Sequence, residues 1–271
     1  MATCASAQQP DIAQALRPEL QNKNLVLRGF YQGKELLYRS DGSLEIKAPQ
    51  GFWASDGLVH ITDVSMDKYG ALVLTGQRVI SIFDDKTQCF GNAVTKQPIA
   101  IHIELDPAWK DVAPVRALLH TIFGFSIATI QAYAPGYWKT FLSGKPANTP
   151  NGEWHFVSAA PAASTKANEP AADRVGMGTN EIRVYPPRAV SAPDPEYTKI
   201  ARKAQLQGTT ILWMTVTPDG KASDILIQRP LGGGLDDMAV KAARQWRFNP
   251  AMKKGHPVAV QINVEMNFRL Y

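Results

Sequence analysis

The stretch "TTILWMTVTPDGKASDILIQR", residues 209–229, holds two runs of strand-forming residues joined by a tight turn. "TTILWMTV" is rich in β-branched and aromatic side chains, which suit a pleated, half-buried surface. It runs into Thr217-Pro218-Asp219-Gly220, where proline presets φ and glycine tolerates a positive φ. "ASDILIQR" then returns antiparallel to the first run. Upstream, Asp194 is the expected N-cap of a helix, with Pro195 at its first position and Glu196 in its first turn. Tyr197, Ile200, Ala201 and Ala204 space as its buried stripe, and Gly208 marks its end.

Downstream, Gly232-Gly233-Gly234 leads into a second expected helix with Leu235, Met238, Ala239, Ala242, Ala243 and Trp246 on one face. Asp236 and Asp237 sit in its first turn, and Lys241 and Arg244 lie nearer its end, which suits the helix dipole. Asn249-Pro250 stops it, and Met252–His256 reads as a loop. From Val258 to Leu270 apolar and polar residues alternate, the pattern of one long strand with a buried and a wet face. Helix, strand, strand, helix, strand predicts an α+β unit over residues 179–271: a three-stranded antiparallel sheet covered by two helices.

These residues resemble the C-terminal domain of TonB-family energy transducers. The resemblance rests on the tyrosine helix start followed by Ala201-Arg202, on Gln207-Gly208, and on Asp219-Gly220. It continues through Leu235-Asp236, Ala239 and Ala243 to Trp246-Arg247-Phe248-x-Pro250-Ala251 and Gly255-x-Pro257-Val258. Thr198 stands where members of the family carry a proline. The resemblance implies a periplasmic, non-enzymatic protein that docks on an outer-membrane TonB-dependent receptor by strand addition, in energy-coupled transport. Main-chain hydrogen bonds would supply affinity and alternate side chains choice. It points to Gln261, Asn263, Glu265, Asn267 and Arg269 as the docking edge, with Pro193, Asp194, Pro195 and Glu196 beside it. An inner-membrane motor complex or a second copy of the chain would be further partners.

The rest of the chain has no such likeness. Residues 8–24 read as a polar, short-helical lead-in, and residues 25–85 as five or six short strands in an antiparallel meander or small barrel. In "LVHITDV", Val59, Ile61 and Asp63 alternate with Leu58, His60 and Thr62. Residues 86–97 read as a loop, and Pro107–Phe123 as a helix weakened by Pro114. The expected organisation is a β-rich domain over 8–157, an Ala/Pro/Ser-rich linker over 158–178, and the α+β domain after it. Ala5-Ser6-Ala7 resembles the end of a secretory signal, so residues 1–7 read as its remnant, with the start clipped. A β-rich domain and a short tether stand where a transducer has its anchor and long Pro-rich spacer. Direct transduction would then need a partner that holds the protein.

Composition excludes more than it assigns. Of 29 Lys/Arg and 24 Asp/Glu, 13 and 8 fall in residues 181–271, so all the net charge of +5 sits there. Lys253-Lys254 with Arg244 and Arg247 form no nucleic-acid motif and read as a solvated face. No apolar run is long enough to span a membrane. The five histidines lack zinc spacing, no nucleophile elbow is present, and no cofactor or catalytic set emerges. Cys89, with Cys4 in the signal remnant, makes no disulfide framework. The alternative to receptor docking is a soluble cell-envelope scaffold or a glycan- or peptidoglycan-binding protein. In that reading Trp53, Trp109, Trp138 and Trp154 stack on sugars, against ordinary core packing.

Overall fold

The structure, a computed structural model, describes residues 11–124, 127–143, 155–156 and 184–270. The expected signal remnant with Cys4, the linker 158–178 and Trp154 lie outside the described residues. The chain divides into two units, Met1–Ala134 and Pro135–Tyr271.

In the first unit, α1 (Ile12–Leu20) starts where the Asp11 carboxylate accepts the Gln14 N–H at 3.1 Å, and it buries Ala13, Leu16 and Leu20. The following elements are β1 (Asn24–Leu27), β2 (Glu35–Tyr38), α2 (Trp53–Asp56), β3 (Leu58–Met66), β4 (Leu72–Asp84) and β5 (Cys89–Ile103). Then come α3 (Ala113–Ile122), β6 (Phe123–Gly124) and α4 (Ile127–Tyr133). The strands form one sheet in the order β2-β5-β4-β3-β1-β6. Only β3-β4-β5 is a meander; β2 joins β5 in parallel, with Leu36 opposite Ile101. Leu16, Leu25, Leu36, Val59, Ile61, Leu74, Ile101 and Leu119 pack as the core.

Several expectations change here. β5 occupies most of the stretch read as a loop, because its polar first half pairs residue by residue with β4, from Cys89 opposite Asp84 to Val94 opposite Val79. A bulge at Thr62 shifts the alternation of β3, so Val64, not Asp63, follows Ile61 into the core. Asp63 turns instead to Arg17 at 3.7 Å. Helix α3 begins at Ala113, six residues later than expected, because Pro114 opens it instead of interrupting it. Trp53 and Trp138 are 1% and 0% exposed, which removes them as sugar-stacking surfaces.

The second unit is α+β. A 3-10 turn (Gly136–Trp138) leads to α5 (Lys139–Leu142), followed by β7 (His155–Phe156), β8 (Val184–Tyr185), β9 (Arg188–Ser191) and α6 (Lys199–Lys203). Next are β10 (Gly208–Val216), β11 (Ala222–Arg229), α7 (Leu235–Ala243) and β12 (Arg247–Asn249). The chain ends in β13 (Ala251–Lys253), β14 (His256–Val258) and β15 (Val260–Phe268). The main sheet is antiparallel in the order β11-β10-β15-β7, with α7 packed on β10 and β11. Residues 135–143, which the sequence places with the β-rich part, group with this unit.

The hairpin at 209–229 forms as expected. Gly220 has φ +76°, and its carbonyl accepts the Phe248 N–H at 2.9 Å, tying the turn to β12. α6 starts later than expected: Thr198, not Asp194, is the N-cap, accepting the Ala201 N–H at 3.1 Å and donating to the Gly233 carbonyl at 2.8 Å. The expected loop Met252–His256 is a hairpin between β13 and β14. Its two-residue turn, Lys254-Gly255, has φ +52° and +81°, the conformation that two-residue hairpins favour. His256 therefore belongs to a strand.

Candidate docking edge

β15 is positioned by its own alternation. Its register with β10 is unbroken, from Gly208 opposite Phe268 to Val216 opposite Val260. On the other flank β7 pairs, among the described residues, at Val260 and Gln261. From Ile262 to Phe268, β15 has β10 on one side and, among the described residues, no strand on the other. Such an edge carries a row of main-chain N–H and C=O groups free to pair with another chain.

The sequence-predicted residues divide into two groups. Gln261, Asn263, Glu265 and Asn267 share β15, and Arg269 follows its end. Glu265, Asn267 and Arg269 are exposed, while Gln261 and Asn263 are half-buried. Asn267 Oδ1 accepts the Thr209 hydroxyl at 2.6 Å. The Asn263 side-chain oxygen is buried and lacks a hydrogen-bond partner, an acceptor that an incoming chain could use. Pro193–Glu196 are held at the far end of α7: Trp246 Nε1 donates to the Pro193 carbonyl at 3.0 Å, and Glu196 faces Lys241 at 3.5 Å. That ion pair is solvent-exposed and contributes little.

Asp236 and Asp237 depart most from expectation. The sequence places them in the first turn of the helix as charges that compensate its dipole; in the structure both sit in that turn and are buried. Gly232, Gly233 and Gly234 all have positive φ, at 98°, 60° and 74°, and this turn brings the backbone over the start of α7. Asp236 Oδ1 accepts the Thr210 hydroxyl at 2.6 Å and the Leu231 N–H at 2.7 Å; Oδ2 accepts the Gly232 N–H at 2.8 Å. The carboxylate thus pins the glycine turn to β10. Burial pushes its pKa up to about 6 against the opposing pull of those hydrogen bonds.

Asp237 Oδ1 accepts the Tyr137 hydroxyl at 2.8 Å and the Trp138 indole N–H at 3.0 Å, while Oδ2 is buried without a hydrogen-bond partner. Burial pushes this carboxyl up to about 7; the two aromatic hydrogen bonds oppose the rise and Asp236 adds to it. Sequence reasoning missed Thr210, Tyr137 and Trp138 as partners, because they lie 26 to 100 residues away with no local signal.

Of the basic cluster, Arg244, Arg247 and Lys254 are exposed, and the two arginines also make local contacts. The Arg244 guanidinium lies 5.5 Å from the centre of the Tyr137 ring, and Arg247 donates to the Trp246 carbonyl at 2.8 Å. Among the described residues no group of three or more His, Cys, Asp or Glu is placed to hold a metal ion. No helix among them is long and apolar enough to cross a membrane.

Residues 193–270 match the family described as Gram-negative bacterial TonB protein C-terminal. They form a TonB C-terminal domain. Protein TonB of Vibrio cholerae serotype O1 is 34% identical over 109 aligned residues, 38% of this chain and 43% of the relative. Protein tonB2 of Pseudomonas aeruginosa is 34% identical over 79 residues, 29% of each chain. Protein TonB of Escherichia coli K12 is 32% identical over 82 residues, 30% of this chain and 34% of the relative. The matched region therefore spans less than half the length of these curated relatives. The solution NMR structure of the Pseudomonas aeruginosa TonB CTD is similar at 25% identity and a TM-score of 0.27, covering 31% of this chain and 86% of that one.

Proposed function

We propose that the TonB C-terminal domain of this chain docks, by strand addition along β15, to the periplasmic segment of an outer-membrane TonB-dependent receptor. The protein would thereby serve energy-coupled transport across that membrane from the periplasm. The observation that carries this reading is the flank of β15 between Ile262 and Phe268, on which no strand among the described residues pairs, in a domain of the TonB family. An extended receptor segment pairing there gains main-chain hydrogen bonds, with Glu265, Asn267 and Arg269 reading its side chains. The buried, unpartnered oxygen of Asn263 favours an arriving donor. The role is one of docking, not catalysis.

Successive N–H groups along a strand point to opposite flanks. Of Asn263 and Val264, one therefore faces β10 and the other faces outward. Proline is introduced at each in turn, and binding of the full chain to a peptide from a receptor's periplasmic N-terminus is measured. The variant that keeps its fold should lose binding by about tenfold or more, for want of one main-chain hydrogen bond and from the ring's clash. Alanine at the same position should change it little. A folded proline variant that binds as well as the parent rules out pairing along this flank.

A further inference from the structure

The two aromatic donors that meet Asp237 come from a segment that the TonB C-terminal match does not include. The 3-10 turn and α5 pack against β11. Within residues 135–143, Trp138 alone is buried; Tyr137, Thr140, Phe141 and Leu142 are half-buried, and the rest are exposed. Phe141 lies edge-on to Trp138, with ring centres 6.3 Å apart. The indole of Trp138 is thus the most deeply buried side chain of the segment. Beside it opens a cleft of about 330 Å³, lined by Tyr137, Arg244 and the β11 residues Ser223, Asp224 and Ile225.

A core built only for stability would place an apolar residue at the position of Asp237, since a buried carboxylate with one unpaired oxygen is costly. Here one oxygen collects an indole N–H and a phenol O–H, which is how a binding site selects an aromatic pair. We infer that the α7–β11 face of the C-terminal domain is a peptide-binding site for a Tyr-Trp pair, occupied here by Tyr137-Trp138 of the same chain through the Asp237 oxygen and released at higher pH.

The direction of that release follows from burial. Docking takes Asp237 out of water and pushes its carboxyl up to about 7. Undocked, the carboxyl meets solvent and returns toward its ordinary value of 3.8, so the docked state holds the extra proton. Docking is then strongest below pH 4 and weakens as pH rises through about 7. The charged and titratable groups around Asp237 are Asp236 on its own helix, Tyr137 in the docked segment, Arg244 over the Tyr137 ring, and Asp224 of β11 at the cleft.

The test uses the full chain with a specific protease site inserted between Ala162 and Ala163, cut after folding. Gel filtration then reports whether the two pieces stay together, and the indole N–H of Trp138 is followed by NMR in the uncut chain. The pieces should co-elute at pH 5, with an apparent affinity tens of fold lower at pH 8. Trp138→Ala should weaken the association by about a hundredfold or more. Asp237→Asn keeps an acceptor oxygen and should abolish the pH difference while leaving the circular dichroism unchanged. The first piece also carries β7, so association that survives Trp138→Ala overturns the proposal. So does separation of the pieces at pH 5, or the same pH dependence in Asp237→Asn. In the uncut chain, an indole N–H that exchanges with water equally fast at pH 5 and pH 8 overturns it as well.

Discussion

Replacing Asp236 by alanine removes the acceptor of three donors at once. The Thr210 hydroxyl can turn elsewhere, but the Leu231 and Gly232 N–H groups are fixed by the backbone and buried. Each buried donor left without a partner costs about 1–3 kcal/mol, so the two together should cost about 2–6 kcal/mol at pH 5. That is a large fraction of the stability of an ordinary domain. The cost should shrink with pH. The folded-state carboxyl titrates at about 6 against 3.8 as its ordinary value, so the stability tied to its protonated form is fully present below 3.8 and lost as pH rises through 6. Between pH 5 and pH 8 the parent alone loses about 1 kcal/mol through this group, and the gap to the variant narrows by that amount. Urea unfolding of the full chain at both pH values, with amide exchange in β10 and β15 to assign the transition, measures it. A cost under about 1 kcal/mol, or a gap that widens with pH, refutes the role given to this carboxylate.

Gly220→Ala should destabilise the second unit by about 2 kcal/mol or more, since φ is +76° and a Cβ would collide with the Phe248 carbonyl oxygen; thermal unfolding checks it. Trp246→Phe keeps the ring but loses the hydrogen bond to the Pro193 carbonyl, so about 1 kcal/mol should be lost, with faster amide exchange around residues 193–196. In the first unit, Arg78 is 3% exposed and donates to the carbonyls of Asp56, Tyr31 and Gly33. Arg78→Met should cost about 3–5 kcal/mol by leaving those oxygens unsatisfied, read as a lower urea midpoint for that unit.

The elements that local chemistry specifies were readable. The Pro-Asp-Gly hairpin, the helix after the glycine turn and the alternating last strand each carry their signal within about ten residues, and each formed. The helix, however, ends at Ala243 instead of running through Trp246 to Asn249-Pro250, with Arg247–Asn249 in β12, and the last strand narrows to Val260–Phe268. Elements that depend on distant partners were not. The first half of β5 looks like a polar loop until β4 is placed beside it, and the parallel pairing of β2 with β5 joins residues about 65 apart. The cap of α6 moved from Asp194 to Thr198 because Thr198 can also reach the Gly233 carbonyl, 35 residues away. β15 was legible as a strand. That no strand among the described residues pairs with its far flank from Ile262 onward is a property of the assembled sheet. Asp236 and Asp237 show the limit most clearly: as sequence they are two charges at a helix start, and only Thr210, Tyr137 and Trp138 turn them into buried anchors.

The central claim is that a partner strand pairs with β15 on the flank away from β10. Amide hydrogen exchange, read residue by residue in the full chain with and without a peptide from a receptor's periplasmic N-terminus, tests it most directly. The account predicts that alternate amides from Ile262 to Phe268, those pointing away from β10, slow by tenfold or more on binding, while their neighbours, already bonded to β10, change little. Protection that appears elsewhere in the second unit while these outward amides stay as fast as before would contradict it.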